Sequence, residues 1–379
     1  MAWADGLVYL NTPASVARAV ELEPGNASYR GLLAEHDESG GKDPKPALLI
    51  ATRLSPLESR YWERIAFRQE MERDYGRAEE SLLHAAETDH LFAPRWALAN
   101  YYLRRGNTEK FWVWITKSLE VAPPEPEAIF QMAWGVTQDG GKIRSLLPPG
   151  RALLQRYLSW LVNNRMVEAA KGPALEISPH AMAEDLPALL AYCEQAAKVD
   201  VRSALLVWNA LCTRHLLPYP AISPGQGQVV TDPTFQSAGT GGGFSWELAR
   251  QPGLSVYLAG ARDGAIVELR GRQAERSMLL QQRVPVFAKS RYKLSWEYRV
   301  TGNRGPTGLH WEIVDQTTDR NILEGAAPLG GTEFRTDEAV FESRSDMAPR
   351  LSLIYRREPG MVPGEGTLYL RSVRMERTQ

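Results

Sequence analysis

Two cysteines in 379 residues rule out a disulfide framework. Cys193 and Cys212 allow one bridge at most, and neither stands at a metal-ligand spacing. Both fall in helix-like segments and read as buried free thiols, joined only if those helices face each other. No apolar run approaches the roughly 20 residues that a bilayer span needs. Charge of one sign is missing too. The 44 Lys and Arg against 45 Asp and Glu leave a formal net charge of −1, which argues against a broad nucleic-acid or anionic-membrane surface. The six histidines are dispersed, with no pair at metal-ligand spacing. There is no GxxxxGK[ST] loop and no HExxH helix, and Gly239, Gly241, Gly242 and Gly243 open no helix in a βαβ unit. No catalytic residue, cofactor or metal site is therefore assigned, and the chain reads as non-enzymatic.

What is there begins with a repeat. Small residues recur at Ala19, Ala51, Ala85 and Ser118, in steps of 32, 34 and 33. Leu22, Leu54, Thr88 and Val121 follow three places on, and Pro24, Pro56, His90 and Pro123 two further. Proline stops a helix because it lacks the N–H and clashes with the preceding turn. Small residues such as Ala66 and Ala99 let helices approach closely. Asp74 and Gly106-Asn107 suit tight turns. Trp62, Ile65, Ala66, Asp74, Tyr75, Ala78 and Ala85 resemble the tetratricopeptide pattern, whose period is about 34 residues. Leu98, Ala99, Tyr102, Gly106, Asn107, Ile115 and Ser118 repeat most of it. The resemblance implies an α-solenoid of helical hairpins over 1–217 whose concave groove takes a protein or peptide partner. Variable positions of the two clear units place Arg60, Glu63, Arg64, Arg68, Arg95, Asn100, Arg104 and Arg105 there, a set that favours acidic partners. The unit at Ala27–Pro56 shows a poor first helix. Asp139, Gly140 and Gly141 read as a helix end. Glu79-Glu80 and Glu184-Asp185 read as solvated faces or helix-start charges.

Met1–Leu10 lacks a basic segment followed by an apolar core, so it does not read as a signal peptide. It resembles the tail of a helix cut short upstream. The expectation is a longer chain whose missing start carries an export signal or anchor, with a periplasmic or membrane-associated location.

From Pro218 the pattern changes. Pro218, Pro220, Pro224, Gly225 and Gly227 mark a linker over 218–227. Beyond it, 228–379 carries many short period-2 runs with Gly and Pro punctuation, the signature of an antiparallel β-sandwich. Strands are expected at Phe244–Leu248, Ser255–Leu258, Ala265–Arg270, Met278–Val286, Tyr292–Thr301, Leu309–Val314, Ala339–Glu342, Leu351–Arg356 and Thr367–Met375. Tyr292, Leu294, Trp296 and Tyr298 alternate with Lys293, Ser295, Glu297 and Arg299. Leu309, Trp311 and Ile313 alternate with His310 and Glu312. One wall is core and the other is wet. Phe235 with Gly243-Phe244-Ser245-Trp246, then Leu279 to Val286, Tyr292 to Trp296 and Gly366 to Leu370, resemble the galactose-binding-like jelly roll of many carbohydrate-binding modules. That resemblance implies a polysaccharide ligand. It also implies a calcium-holding acid in the last strand, where this chain has Arg371. Planar polar groups hold sugars together with an aromatic platform. Gln281, Arg283, Glu297, Arg299, His310 and Glu312 are the polar candidates, while Trp296 and Trp311 belong to the core by alternation. The pairing of the two modules implies a scaffold in envelope or exopolysaccharide assembly. The alternatives are a pure protein–protein adaptor and an accessory part of a larger enzyme.

Overall fold

One helix-ending turn recurs along the helical half of the chain. Five times an amide bonds the carbonyl five residues back, at Lys42 to Asp37 (2.7 Å), Asp74 to Gln69 (2.8 Å), Asn107 to Tyr102 (2.9 Å), Met166 to Leu161 (2.9 Å) and Leu216 to Leu211 (3.0 Å). Each time the residue before that amide is left-handed, namely Gly41, Arg73, Gly106, Arg165 and His215. This is the left-handed close that satisfies a helix's last carbonyls. The next residue often caps the following helix. Asp74 and Asn107 accept from the Arg77 and Lys110 amides, each cap worth about 1 kcal/mol.

The computed structural model describes residues 2–225, 227–237, 239, 241–249, 251–260, 263–302, 308–315, 318–324, 331–357 and 359–378. The chain forms helices first and then two antiparallel sheets. It divides into two compact units, Met1–Gly150 and Arg151–Gln379.

In the first unit, hairpins α1 (Ala2–Tyr9) with α2 (Pro13–Leu22), α3 (Ala27–Ser39) with α4 (Lys45–Leu54), α5 (Ser59–Met71) with α6 (Tyr75–Thr88), α7 (Phe92–Arg104) with α8 (Thr108–Glu120), and α9 (Glu127–Thr137) with α10 (Gly140–Leu146) stack in chain order. Ala19, Ala51, Ala85 and Ser118 are all shut from solvent, as their place between helices requires. Two expectations need correcting. The first helix of the Ala27–Pro56 unit is complete. Asn26 caps it, and Gly31 lets α5 so close that a Cβ there would stand 2.7 Å from the Tyr61 ring. Asp139 does not end a helix but caps α10, accepting from the Lys142 amide at 3.0 Å.

In the second unit, α11 (Arg151–Asn163), α12 (Val167–Ile177), α13 (Leu186–Ala196) and α14 (Val201–Thr213) precede the strands. Asp185 is no solvated charge. It is fully buried, pairs with Arg151 and accepts from the Met182 amide at 2.7 Å. Glu79, in the first unit, takes the Tyr102 hydroxyl and the Lys110 ammonium. Cys193 and Cys212 are buried free thiols. Burial pushes both thiols up, Cys212 to about 11.

The stretch read as a linker is pinned. Asn209 exchanges two hydrogen bonds with Ile222, and Tyr219 stacks on Trp208. Next to it the expected strand at Phe244–Leu248 shrinks to Glu247–Leu248, because Phe244 turns edge-on to Trp208 of α14. Gly243, left-handed, lies where a Cβ would stand 2.7 Å from that indole.

The strands are β1 (Glu247–Leu248), β2 (Leu254–Gly260), β3 (Gly264–Arg270), β4 (Arg276–Arg283), β5 (Ser290–Thr301), β6 (Leu309–Asp315), β7 (Arg320–Glu324), β8 (Gly331–Ser343), β9 (Arg350–Arg356) and β10 (Glu365–Thr378). They form a first sheet in the order β1-β4-β9-β6-β7 and a second in the order β2-β3-β10-β5-β8. Strand β7 was not expected, and β8 is much longer than Ala339–Glu342. Trp296 and Trp311 meet in the core, ring centres 6.2 Å apart, and Trp246 lies 6.4 Å from Trp311. No helix among the described residues is long and apolar enough to cross a membrane.

Candidate functional site

Strand register sorts the six sugar candidates onto two different sheets. Facing residues in antiparallel strands share a face. On the first sheet Glu247 faces Gln281, Gln281 faces Ser352, and Ser352 faces Glu312, a polar row across four strands. One step along, Met278, Ile354 and His310 face one another, and on the other side Arg283 faces Arg350. Glu297 and Arg299 lie on β5, in the second sheet. The structure therefore brings Gln281, Arg283, His310 and Glu312 together and sets Glu297 and Arg299 apart.

The first-sheet row is fixed by its own contacts. Glu312 accepts from Arg276 at 2.9 Å, stands 3.3 Å from His310 Nε2 and 3.8 Å from Arg356. Gln281 donates to Glu247 at 2.5 Å. Arg283 is buried and donates twice to Glu194 of α13, at 2.8 and 2.9 Å. These partners hold the side chains in one orientation, as a preorganised site needs. The apolar members of the face are Met278, Ile354 and Val314, and among its described residues no aromatic ring is present.

The aromatics that the sequence reading missed stand on the second sheet. Tyr257, Ile266, Tyr369 and Arg299 face one another across β2, β3, β10 and β5. Arg299 lies 4.2 Å from the Tyr369 ring and 4.9 Å from Phe334, and Arg371 lies 3.6 Å from Phe334. Arg371, which occupies the expected calcium-ligand position, donates to Glu297 at 2.6 Å. Register across non-neighbouring strands was the missing signal.

In the first unit a groove of about 430 Å³ receives Arg60, Glu63, Arg64, Arg68, Asn100 and Arg104, six of the eight groove candidates, along with Glu38, Phe67, Glu70 and Trp96. Arg95 and Arg105 do not line it: Arg95 bonds Glu120 and the Lys117 carbonyl, and Arg105 lies 3.6 Å from the Tyr75 ring centre. The arginines come with their own acids. Arg104 forks onto Glu70 at 2.6 and 2.8 Å, Arg64 meets Glu35 and Glu38, Arg68 meets Glu38, and Arg60 meets Glu58. Most of these acids come from the preceding hairpin, so a scan of one repeat at a time overlooks them, and the pull on an acidic partner is weakened. Glu63 differs. Burial pushes its carboxyl up, the Asp89 charge adds to that, and Ser59 opposes it.

No family model matches the sequence, and no curated protein matches it. Solved structures do show a likeness. One is the second N-terminal cellulose-binding domain of Cellulomonas fimi β-1,4-glucanase C, 22% identical, covering 41% of this chain and 96% of that one at a TM-score of 0.29. Another is a CBM4 structure at 14% identity, covering 40% and 97% with a TM-score of 0.30. A third is the CBM22-1 xylan-binding domain of Paenibacillus barcinonensis Xyn10C at 11%, covering 41% and 97% with a TM-score of 0.27. Scores of this size assign neither a ligand nor an activity to this chain.

Proposed function

We propose that this chain is a non-catalytic binding scaffold, with a carbohydrate held on the outward face of the first sheet and a polypeptide held in the groove of a tetratricopeptide-like repeat. The observation that carries the sugar reading is the row Glu247, Gln281, Ser352 and Glu312, with His310 beside it. Planar donors and acceptors fixed at strand spacing suit the hydroxyls of a sugar chain. The two buried charges of this face meet opposite charges, Glu312 with Arg276 and Arg283 with Glu194, and an uncharged glycan leaves those pairs intact. Envelope or exopolysaccharide assembly is the setting that pairing such a module with a repeat suggests.

A second reading rests on the Arg283–Glu194 contact. A face tied to a helix of its own unit and bare of aromatics also suits a pure protein–protein adaptor. A glycan array of the whole chain separates the two. The sugar reading expects binding to neutral glycans, at least tenfold weaker in His310→Ala and in Gln281→Ala and unchanged in Arg299→Ala. Absence of binding to any glycan, or binding that ignores both first-sheet substitutions, rejects it.

A further inference from the structure

We propose that a hollow at one end of the second sheet binds the carboxylate-bearing sugars of an acidic polysaccharide. The hollow, of about 810 Å³, is lined by Lys289, Arg291, Arg377, Glu342, Val340 and Phe341, among others. Its size is that of a ligand pocket. Strand ends meet at it. Thr378, Arg291 and Glu342 face one another across β10, β5 and β8. Arg377, opposite the buried Tyr292, belongs to the other face by alternation and lines the hollow from there at the end of the strand. Lys289 sits in a left-handed turn just ahead of β5, which carries a third cation to the same end.

Charge identifies the ligand. Elsewhere on this sandwich Arg283, Arg276 and Arg371 each meet a carboxylate, and Asp346 takes Arg202 of α14. Among the described residues none lies within 4 Å of Lys289, Arg291 or Arg377, although Glu342 stands opposite Arg291 in register. Among the described residues, three cations against one carboxylate leave a surplus of positive charge that an anionic chain neutralises. Arginine binds carboxylate through two parallel hydrogen bonds. A bare inorganic anion gains nothing from Glu342, whereas sugar hydroxyls can donate to it. Val340, 42% exposed, supplies an apolar surface for the C–H face of a ring. This hollow shares only the class of ligand with the polar row of the first sheet, so either site can fail without the other.

Titration calorimetry of the whole chain tests it with polygalacturonate, with its fully methyl-esterified form, and with inorganic phosphate as competitor against chloride of equal ionic strength. The expected result is binding of polygalacturonate that falls at least tenfold on esterification, and at least tenfold in Arg291→Ala/Arg377→Ala. It weakens as salt rises. The esterified polymer keeps the sugar backbone and loses the charge, so equal binding of both forms overturns the proposal. Binding that ignores the arginine substitutions in a protein of unaltered melting temperature overturns it, as does displacement by phosphate well beyond the chloride control, or no binding at all.

Discussion

On the outward face of the first sheet, the Glu312 side chain is 5% exposed and gathers Arg276, Arg356 and His310 around one carboxylate. On the outward face of the second, the Glu297 side chain is 30% exposed and, among the described residues, pairs with Arg371, in a setting of tyrosine and phenylalanine. The residue types are the same and the surroundings are not. A carboxylate closed off from water depends on its partners to offset lost hydration, so its contacts are stiff and costly to break. A carboxylate open to water gains little from its ion pair. The first face is thus a fixed polar array, and the second is a solvated one with room for an incoming charge at its Arg291 end.

Glu312→Ala breaks this comparison most directly. It removes two or more charge-assisted contacts and leaves His310 buried, so a loss of about 2 kcal/mol is expected in denaturant unfolding. Glu297→Ala, matched in chemistry, is expected to cost less than about 1 kcal/mol. Equal losses would erase the distinction. A smaller effect lies between the faces. Burial pushes the Tyr298 phenol up, and the hydrogen bond it donates to Asp337 at 2.6 Å adds to this, to about 12. A free tyrosine titrates near 10. A raised acid gives stability that is complete below about pH 10 and is lost as pH climbs through 12. The unfolding midpoints of wild type and Tyr298→Phe should therefore converge over that range. A constant offset from pH 8 to 12 would show that the phenol is not coupled to folding.

Much of this was readable from residue order, and the reasons are local. Small residues at fixed steps placed the helix contacts at Ala19, Ala51, Ala85 and Ser118, because only such side chains fit between close helices. Alternation put Trp296 and Trp311 inside, because strand side chains alternate by covalent geometry, but the wet wall expected at His310 and Glu312 is closed, since both residues are buried. Sheet membership was not readable. Glu297 and His310 look equivalent in period, yet they stand on opposite sheets, because strand order depends on long-range pairing. The acids that neutralise the groove arginines were hidden for the same reason, since Glu70 and Arg104 lie 34 positions apart. The Pro-rich stretch near 220 misled for a different one. Proline marks a break in regular structure, but Tyr219 and Ile222 make that break a packed contact.

The central claim is that the fixed polar row of the first sheet is a ligand face. The most direct measurement is a crystal structure of the whole chain with a neutral oligosaccharide selected on the array. The account predicts sugar density over Gln281, Ser352 and Glu312, with hydroxyls within hydrogen-bonding distance of those side chains. Density confined to the second sheet or to the helical unit, with the row unaltered, would contradict it.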